Sequence, residues 1–298
     1  MKRHQPVGRP LDAVATALMV VLCLSWGLNQ VAIKLALPEI PPMTQGALRS
    51  FGALPVVLII ARLRGVRLTA HDGTLGPGLL AGALFGLEFI CIYAGLVWTT
   101  ASRGVVFVYV GPFFIALGAR VFLHERLVPI QWGGLALAFL GIIVAVGVPD
   151  PTVDGRILLG DGLLTAGGLF WAATTLIIKG TSLARVSAEK TTIYQLAVSA
   201  LLLAVGAAVL GERVVRMPGA VALGSLAYQT IWVLAITFTV WFALVVKYSA
   251  SRLAALSFLT PLFGVAAGHF IMGDPLTPTF AVAVLLVVVG LVLVNRPR

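Results

Sequence analysis

Residues 101–129 read ASRGVVFVYVGPFFIALGARVFLHERLVP, and residues 250–278 read ASRLAALSFLTPLFGVAAGHFIMGDPLTP. At a constant offset of 149, Ala101-Ser102-Arg103 meets Ala250-Ser251-Arg252, Pro112 meets Pro261, Phe114 meets Phe263, Leu127 meets Leu276 and Pro129 meets Pro278. Gly141 and Gly290 continue the register, and Glu125 falls opposite Asp274. Nearer the start, Trp26 and Lys34 return as Trp171 and Lys179 at an offset of 145, and Arg49 aligns with Gln195 at 146. So many matches at one offset are hard to produce by chance in apolar sequence. The chain reads as two copies of one unit, residues 1–148 and 149–298, within a single membrane domain.

The composition says what each unit is made of. The chain has 298 residues, 59% hydrophobic and 11% charged, with a mean hydropathy of +1.03. A soluble domain carries about 25% charged residues, so a water-soluble globule is excluded. Apolar runs of membrane-spanning length fall at 13–36, 44–61, 77–98, 102–123, 130–148, 159–179, 191–210, 220–246, 253–272 and 279–295. At about 20 residues per span, ten helices take roughly 200 residues and leave about nine for each connection or tail. No connection is long enough for a soluble catalytic domain. The expected fold is all-α: ten transmembrane helices arranged as two five-helix repeats. Five is odd, so the second repeat enters the membrane from the opposite side, and the repeats are inverted. Such symmetry lets one packing exist in two forms, open to either face, with a substrate site near the midplane between the halves.

Charge placement orients the bundle. Lys2, Arg3 and Arg9 precede the first apolar run in the manner of a signal peptide, but that run has an internal copy later, which reads as a retained span. With both termini cytoplasmic, Lys34, Arg49, Arg103, Arg156, Arg213 and Arg216 face outward, and the other fifteen of the 21 Lys and Arg face inward, Arg296 and Arg298 included. The connection carrying Asp150, Asp154 and Asp161 is then external and acidic. This is the positive-inside pattern, and it suits a bacterial-type inner (plasma) membrane. The net charge of +10 is explained by topology and anionic lipid, with no nucleic-acid partner. Cys23 and Cys91 lie in apolar runs without a Cys or His partner in metal-ligand spacing. No metal or cofactor is expected, and catalytic motifs are absent.

Three stretches carry a family resemblance: SWGLNQVAIKLAL (25–37) with PPMTQGALRSF (41–51), VYVGPFFIALGARVFLHERL (108–127), and FLTPLFGVAAGHFIMGDPLTP (258–278). They resemble the EamA-type branch of the drug/metabolite transporter superfamily, whose hallmarks are a proline inside spans four and nine and an acid-containing helix end. Asp274 stands where that family usually has Glu, and His124 where Gly is common, which implies looser helix-end geometry. The resemblance implies a ten-helix exporter of small metabolites, commonly amino acids or organic cations, with helices one, three, four, six, eight and nine around the cavity. Within that branch the chain is most similar to the aromatic amino acid exporters.

Several residues stand out as candidate substrate contacts. Glu88 is the acid placed mid-span, where an ionised carboxylate costs at least about 2.5 kcal/mol to insert; it reads as a contact for a substrate ammonium, a proton-coupling site or a structural acid. Asn29 needs partners if buried, in substrate or in a neighbouring helix, and Gln30 beside it poses the same choice. Trp26 and Trp171 hold equivalent repeat positions and flank either a cavity or plain packing, and Tyr93 and Trp241 add aromatic surface. Pro112 and Pro261 should kink their helices and free carbonyls, making them candidate hinges, with Tyr109, Ser257 and Thr260 beside the space they open. Thr237 is the repeat partner of Glu88, so that site is asymmetric. Lys34, Lys179 and Arg49 lie near helix ends and either snorkel or meet a substrate carboxylate. Glu125 and Asp274 read as gate or loop contacts. The four-residue glycine stripe Gly78, Gly82, Gly86 reads as a close helix contact.

The residues and the resemblance together favour an alternating-access exporter of amino acids, aromatic ones favoured, rather than an enzyme. The alternatives are an exporter of drugs or organic cations, for which Glu88 and the aromatic side chains would suit a delocalised cation, a membrane-embedded enzyme, and a passive pore. One chain supplies both repeats, so a monomer suffices.

Overall fold

The computed structural model describes residues 11–69, 72–98, 106–146, 154–273 and 279–296. The readings made above on Lys2, Arg3, Arg9, Ala101, Ser102, Arg103, Asp150, Asp274, Leu276, Pro278 and Arg298 lie outside them. The described residues form helices joined by short connections, without strands. Helices run over Ala13–Ala36 (α1), Pro42–Leu63 (α2), Leu75–Trp98 (α3), Val106–Phe122 (α4), Pro129–Val146 (α5), Gly155–Gly180 (α6), Ala188–Val209 (α7), Ala220–Lys247 (α8), Ala250–Met272 (α9) and Phe280–Asn295 (α10). Seven are long and apolar enough to cross a membrane, and α4, α5 and α10 are shorter apolar helices. Asp161, expected in an external connection, instead lies in the second turn of α6 and is buried.

Side chains that satisfy exposed backbone N–H groups mark where the helices start. Asp12 accepts from Ala15 N at 2.8 Å at the head of α1, and Ser187 and Ser249 cap α7 and α9. At the C-terminal ends, Gly65 after α2 and Gly211 after α7 adopt φ of 67° and 66°. There Val66 N donates to Ala61 O and Glu212 N to Ala207 O, both at 2.9 Å, the bonds that close a helix through a left-handed residue. His124 does the same work after α4 at φ 57°, with Glu125 N donating to Ala119 O at 3.0 Å, and Gly273 ends α9 at φ 75°. The expectation that His124 loosens this end is corrected: the turn closes fully, with histidine held in a conformation that favours glycine.

Helices α4 and α9 break just before Pro112 and Pro261, whereas α2 runs on through Pro55. In α4 the helical bonding lapses at Tyr109–Val110, and Phe113 N reaches back only three residues to Val110 O at 3.0 Å. In α9 the lapse falls at Ser257–Phe258, and Thr260 N donates to Ser257 O at 2.9 Å. Proline's missing N–H and its clash with the preceding turn cause both breaks. The middle of α8, Tyr228–Thr237, is wound as wide π turns, a geometry frequent at functional sites.

The helices pack as α5 on α10, α3 on α6 and α7, α2 on α7 and the π segment of α8, α1 on α9 and α8, and α4 on α6 and α9. Small residues set the closest contacts. The glycine stripe of α3 lies against Tyr194, Val198 and Leu202 of α7, themselves spaced by four. A Cβ at Gly82 would stand 2.7 Å from the Tyr194 carbonyl oxygen and 2.8 Å from Val198 Cβ, whereas one at Gly76 meets nothing within 4 Å.

Gly82→Val is therefore expected to lower stability by about 1–3 kcal/mol through overpacking, while Gly76→Ala leaves the melting temperature in detergent unchanged. His124→Gly, by relieving a left-handed non-glycine residue, should add about 1 kcal/mol. Thermal unfolding of the three purified variants against wild type checks both expectations.

Candidate functional site

A cavity of about 140 Å³ lies among α1, α2, α3, α4, α6, α8 and α9. It contains Trp26, Asn29, Glu88, Tyr109, Trp171, Trp241 and Thr260 of the residues singled out from sequence. Trp26 is held by Thr237, which accepts from its indole Nε1 at 2.9 Å and donates to Val233 O at 2.6 Å. Thr237 thus sits behind the wall, positioning a lining residue. Ser257 is fully buried at the α9 break and donates to Ala254 O at 2.6 Å. Tyr93 is buried with Met43, Leu203 and Ala207 rather than on the cavity. Pro112 and Pro261 lie beside the breaks that bring Tyr109 and Thr260 inward.

The lining has one aromatic and one polar character. Trp26 meets Trp241 edge-on with ring centroids 5.6 Å apart, and Tyr109 meets Trp171 edge-on at 5.9 Å. Phe85, Phe89, Phe238 and Phe242 complete the apolar wall. A cavity of about 150 Å³ holds one benzene-sized ring, so this one has room for a small ligand. The polar lining includes buried atoms without hydrogen-bond partners: Asn29 Oδ1, Arg49 Nε, Glu88 Oε2, Thr174 Oγ1 and Thr260 Oγ1. Buried polar groups normally find partners; besides these five atoms, Gln45, Tyr93, Gln195, Gln229 and Asn295 keep unpartnered buried atoms elsewhere among the described residues.

Sequence reasoning placed Arg49 at a helix end. It is in fact 1% exposed, in the second turn of α2, with its guanidinium carbon 4.3 Å from the centroid of the Phe89 ring. Burial by α3 and its neighbours explains the difference; a helix end in sequence need not be a helix end in solvent. Thr174 and Thr175 were also missed, although the repeat register points to them. At the offset of 145 they correspond to Asn29 and Gln30, and all four line the cavity.

A second polar cluster closes the end of the bundle at which α1 begins. Glu125, 4% exposed in the α4–α5 connection, pairs with Lys179 of α6 at 3.0 Å. Its carboxylate also accepts from Ser249 Oγ at 2.8 Å, Ala250 N at 3.2 Å, Ser251 Oγ at 3.3 Å and Ser251 N at 3.4 Å, where the first turn of α9 offers free N–H groups. Lys179 Nζ donates to the Tyr248 carbonyl, and Tyr248 OH donates to Asp12 Oδ2 at 2.6 Å. The cluster ties α1, the α4–α5 connection, α6 and the α8–α9 turn. Burial alone would raise the Glu125 carboxyl, but the Lys179 ammonium and the Ser249 hydroxyl bring it below its usual 4.5. At the opposite end, Glu212 accepts from Met43 N at 3.2 Å and Thr44 N at 2.7 Å at the start of α2.

The EamA-like transporter family matches this chain over residues 14–147 and 158–296. The chain is 31% identical over 289 residues to a probable amino-acid metabolite efflux pump of Salmonella typhimurium, with 92% of each chain covered. It is 28% identical over 293 residues to an uncharacterized transporter, YvbV, of Bacillus subtilis, covering 96% of this chain and 93% of that one. A solved crystal structure superposes with a TM-score of 0.82 at 21% identity, covering 95% of this chain and 96% of that chain. The chain belongs to the EamA-like transporter family.

Glu125→Gln leaves the Lys179 ammonium buried without its carboxylate and should cost about 3–5 kcal/mol. Because the folded pKa of Glu125 is depressed, its contribution is complete above about pH 4.5 and lost as pH falls through the lower folded value. The gap in melting temperature between wild type and Glu125→Gln should hold steady from pH 7 to pH 5 and shrink below pH 4.

Proposed function

We propose that this member of the EamA-like family is a secondary transporter that exports small amino-acid-type metabolites, aromatic ones favoured, by alternating access. The observation that carries the reading is the cavity between the helices, which brings Glu88 and Arg49 together with aromatic rings in one lining. An amino acid presents both charges beside an apolar side chain, and each part finds its complement there. The Salmonella relative's name, an amino-acid metabolite efflux pump, supports the same class.

Two inverted five-helix repeats, 1–148 and 149–298, with ten membrane-crossing helices, account for the packing. Exchanging the halves turns the α3–α6 contact into α8–α1, α3–α7 into α8–α2 and α1–α9 into α6–α4, while α2–α7, α4–α9 and α5–α10 map onto themselves. The left-handed helix ends obey the same exchange: Gly65 corresponds to Gly211 and His124 to Gly273. The family's match to two stretches of similar length also supports the repeat. Transport follows if the Glu125–Lys179 cluster is one closed gate and opens as the halves rock about the breaks before Pro112 and Pro261. The termini are cytoplasmic in a bacterial-type inner membrane, and one chain carries the whole pathway.

The organic-cation reading is favoured by one feature, the unpartnered Glu88 oxygen among aromatic faces. Counterflow in proteoliposomes loaded with unlabelled amino acids, following entry of labelled phenylalanine or tryptophan, separates the two. Accumulation above empty liposomes is the expected result. Loss of pH-gradient dependence in Glu88→Gln would identify Glu88 as the coupling acid. Movement of a lipophilic cation without any amino acid would overturn the amino-acid reading.

A further inference from the structure

We infer that Arg49 is the carboxylate anchor of the cavity, so that the transported molecule must carry a carboxylate in addition to an ammonium group. This rests on the exporter reading and narrows it to zwitterions.

The argument begins with the state of the side chain. Arg49 is the largest fully buried side chain among the described residues, and it lines the cavity. A guanidinium keeps its charge and presents five N–H donors in a planar fork. Stacking 4.3 Å above Phe89 stabilises the charge but accepts none of those donors, and Nε is buried without a partner. Among the described residues, several other buried charges are closed by counter-ions: Lys179 by Glu125 at 3.0 Å, Lys190 by Asp72 at 2.8 Å and Glu189 by Arg64 at 2.5 Å. Glu88 shares the cavity with Arg49, yet its Oε2 is itself without a partner, and among the described residues no ion pair within 4.0 Å joins the two. Both residues line the same cavity, and neither is paired with the other.

A ligand bearing both charges satisfies both. The guanidinium fork matches a carboxylate through two parallel hydrogen bonds, and Glu88, with Asn29 Oδ1 in the same cavity, accepts from an ammonium. The repeat explains why the site is single. Gln195 stands at the position equivalent to Arg49 and Thr237 at that equivalent to Glu88, so the second half offers neither charge. The ligand's charged end is anchored on α2 and α3 of the first half, and the aromatic residues of α6 and α8 receive its side chain.

Three labelled probes test the assignment in proteoliposome counterflow: phenylalanine, phenylalaninamide (no carboxylate) and N-acetylphenylalanine (no ammonium). Wild type should exchange phenylalanine at least tenfold faster than either analogue, since a site built for a polar group rejects ligands lacking it. Arg49→Gln should lose at least tenfold on phenylalanine and exchange phenylalaninamide as well as or better than phenylalanine. Glu88→Gln should instead relax the rejection of N-acetylphenylalanine. Should Arg49→Gln fail to fold, Arg49→Lys carries the test, keeping the charge but losing the paired hydrogen bonds, with an intermediate loss confined to the carboxylated probes. Equal loss on all probes by a variant of unchanged melting temperature, or full retention of phenylalanine selectivity, overturns the anchor while leaving the exporter reading intact. Failure of wild type to exchange any amino acid overturns both.

Discussion

A hydrocarbon surrounding offers no hydrogen bonds, and every backbone polar group in it must be satisfied within the protein. That constraint makes the described chain a succession of helices and turns each lapse in helical bonding into an event with consequences. The two lapses, at Tyr109–Val110 and Ser257–Phe258, are placed by prolines three or four residues later. At the first, the Val108 carbonyl, which has no Pro112 N–H to accept, faces Gly168 of α6, where a Cβ would stand 2.7 Å away. A glycine on the neighbouring helix is what lets the broken segment approach. At the second, 3-residue bonds tighten the backbone and the Ser257 hydroxyl turns back to Ala254 O. The breaks thus stay inside protein, bringing Tyr109 and Thr260 to the cavity wall.

The buried charges are handled in two contrasting ways. Around Glu125 the polar groups are closely satisfied: an ammonium, two hydroxyls and two backbone N–H groups converge on one carboxylate. Removing one partner there is costly, which suits a cluster that holds several helices together at one end. In the cavity, Asn29, Arg49, Glu88, Thr174 and Thr260 each keep a buried atom without a partner. Such a half-satisfied network is a poor source of stability. The same chain therefore holds one polar cluster that closes on itself and one whose buried atoms are left unpaired.

Residues that recur at offsets of 145 to 149 in the sequence include several that line the cavity. Trp26 and Trp171 share a register in the sequence, and both line the cavity. The same register extended by three and four residues would have added Thr174 and Thr175. Phe89 and Phe238 are also repeat mates that meet in the lining. Other readings depended on which way a side chain points. Tyr93 and Glu88 are five residues apart on α3, a separation that turns them to different neighbours, and only Glu88 reaches the cavity. Thr237 and Ser257 spend their hydroxyls on backbone carbonyls one turn or less away, a local bond that composition does not reveal.

By itself the sequence determined the material and its markers: apolar stretches of spanning length, residues that recur at offsets of 145 to 149, prolines at matching places and an acid set into an apolar run. Those features follow from periodicity and transfer energetics, which act along the chain. Tertiary structure alone decided the environment of the charges. Arg49 reads as an interfacial residue because it lies near a helix start, yet α3 and its neighbours bury it to 1% exposure. Glu125 reads as a helix-end acid, yet Lys179 and the first turn of α9, more than fifty and more than a hundred residues away in sequence, make it the centre of a closed network. Electrostatic energy depends on distance and burial in space, and neither is written in the spacing of residues along one helix.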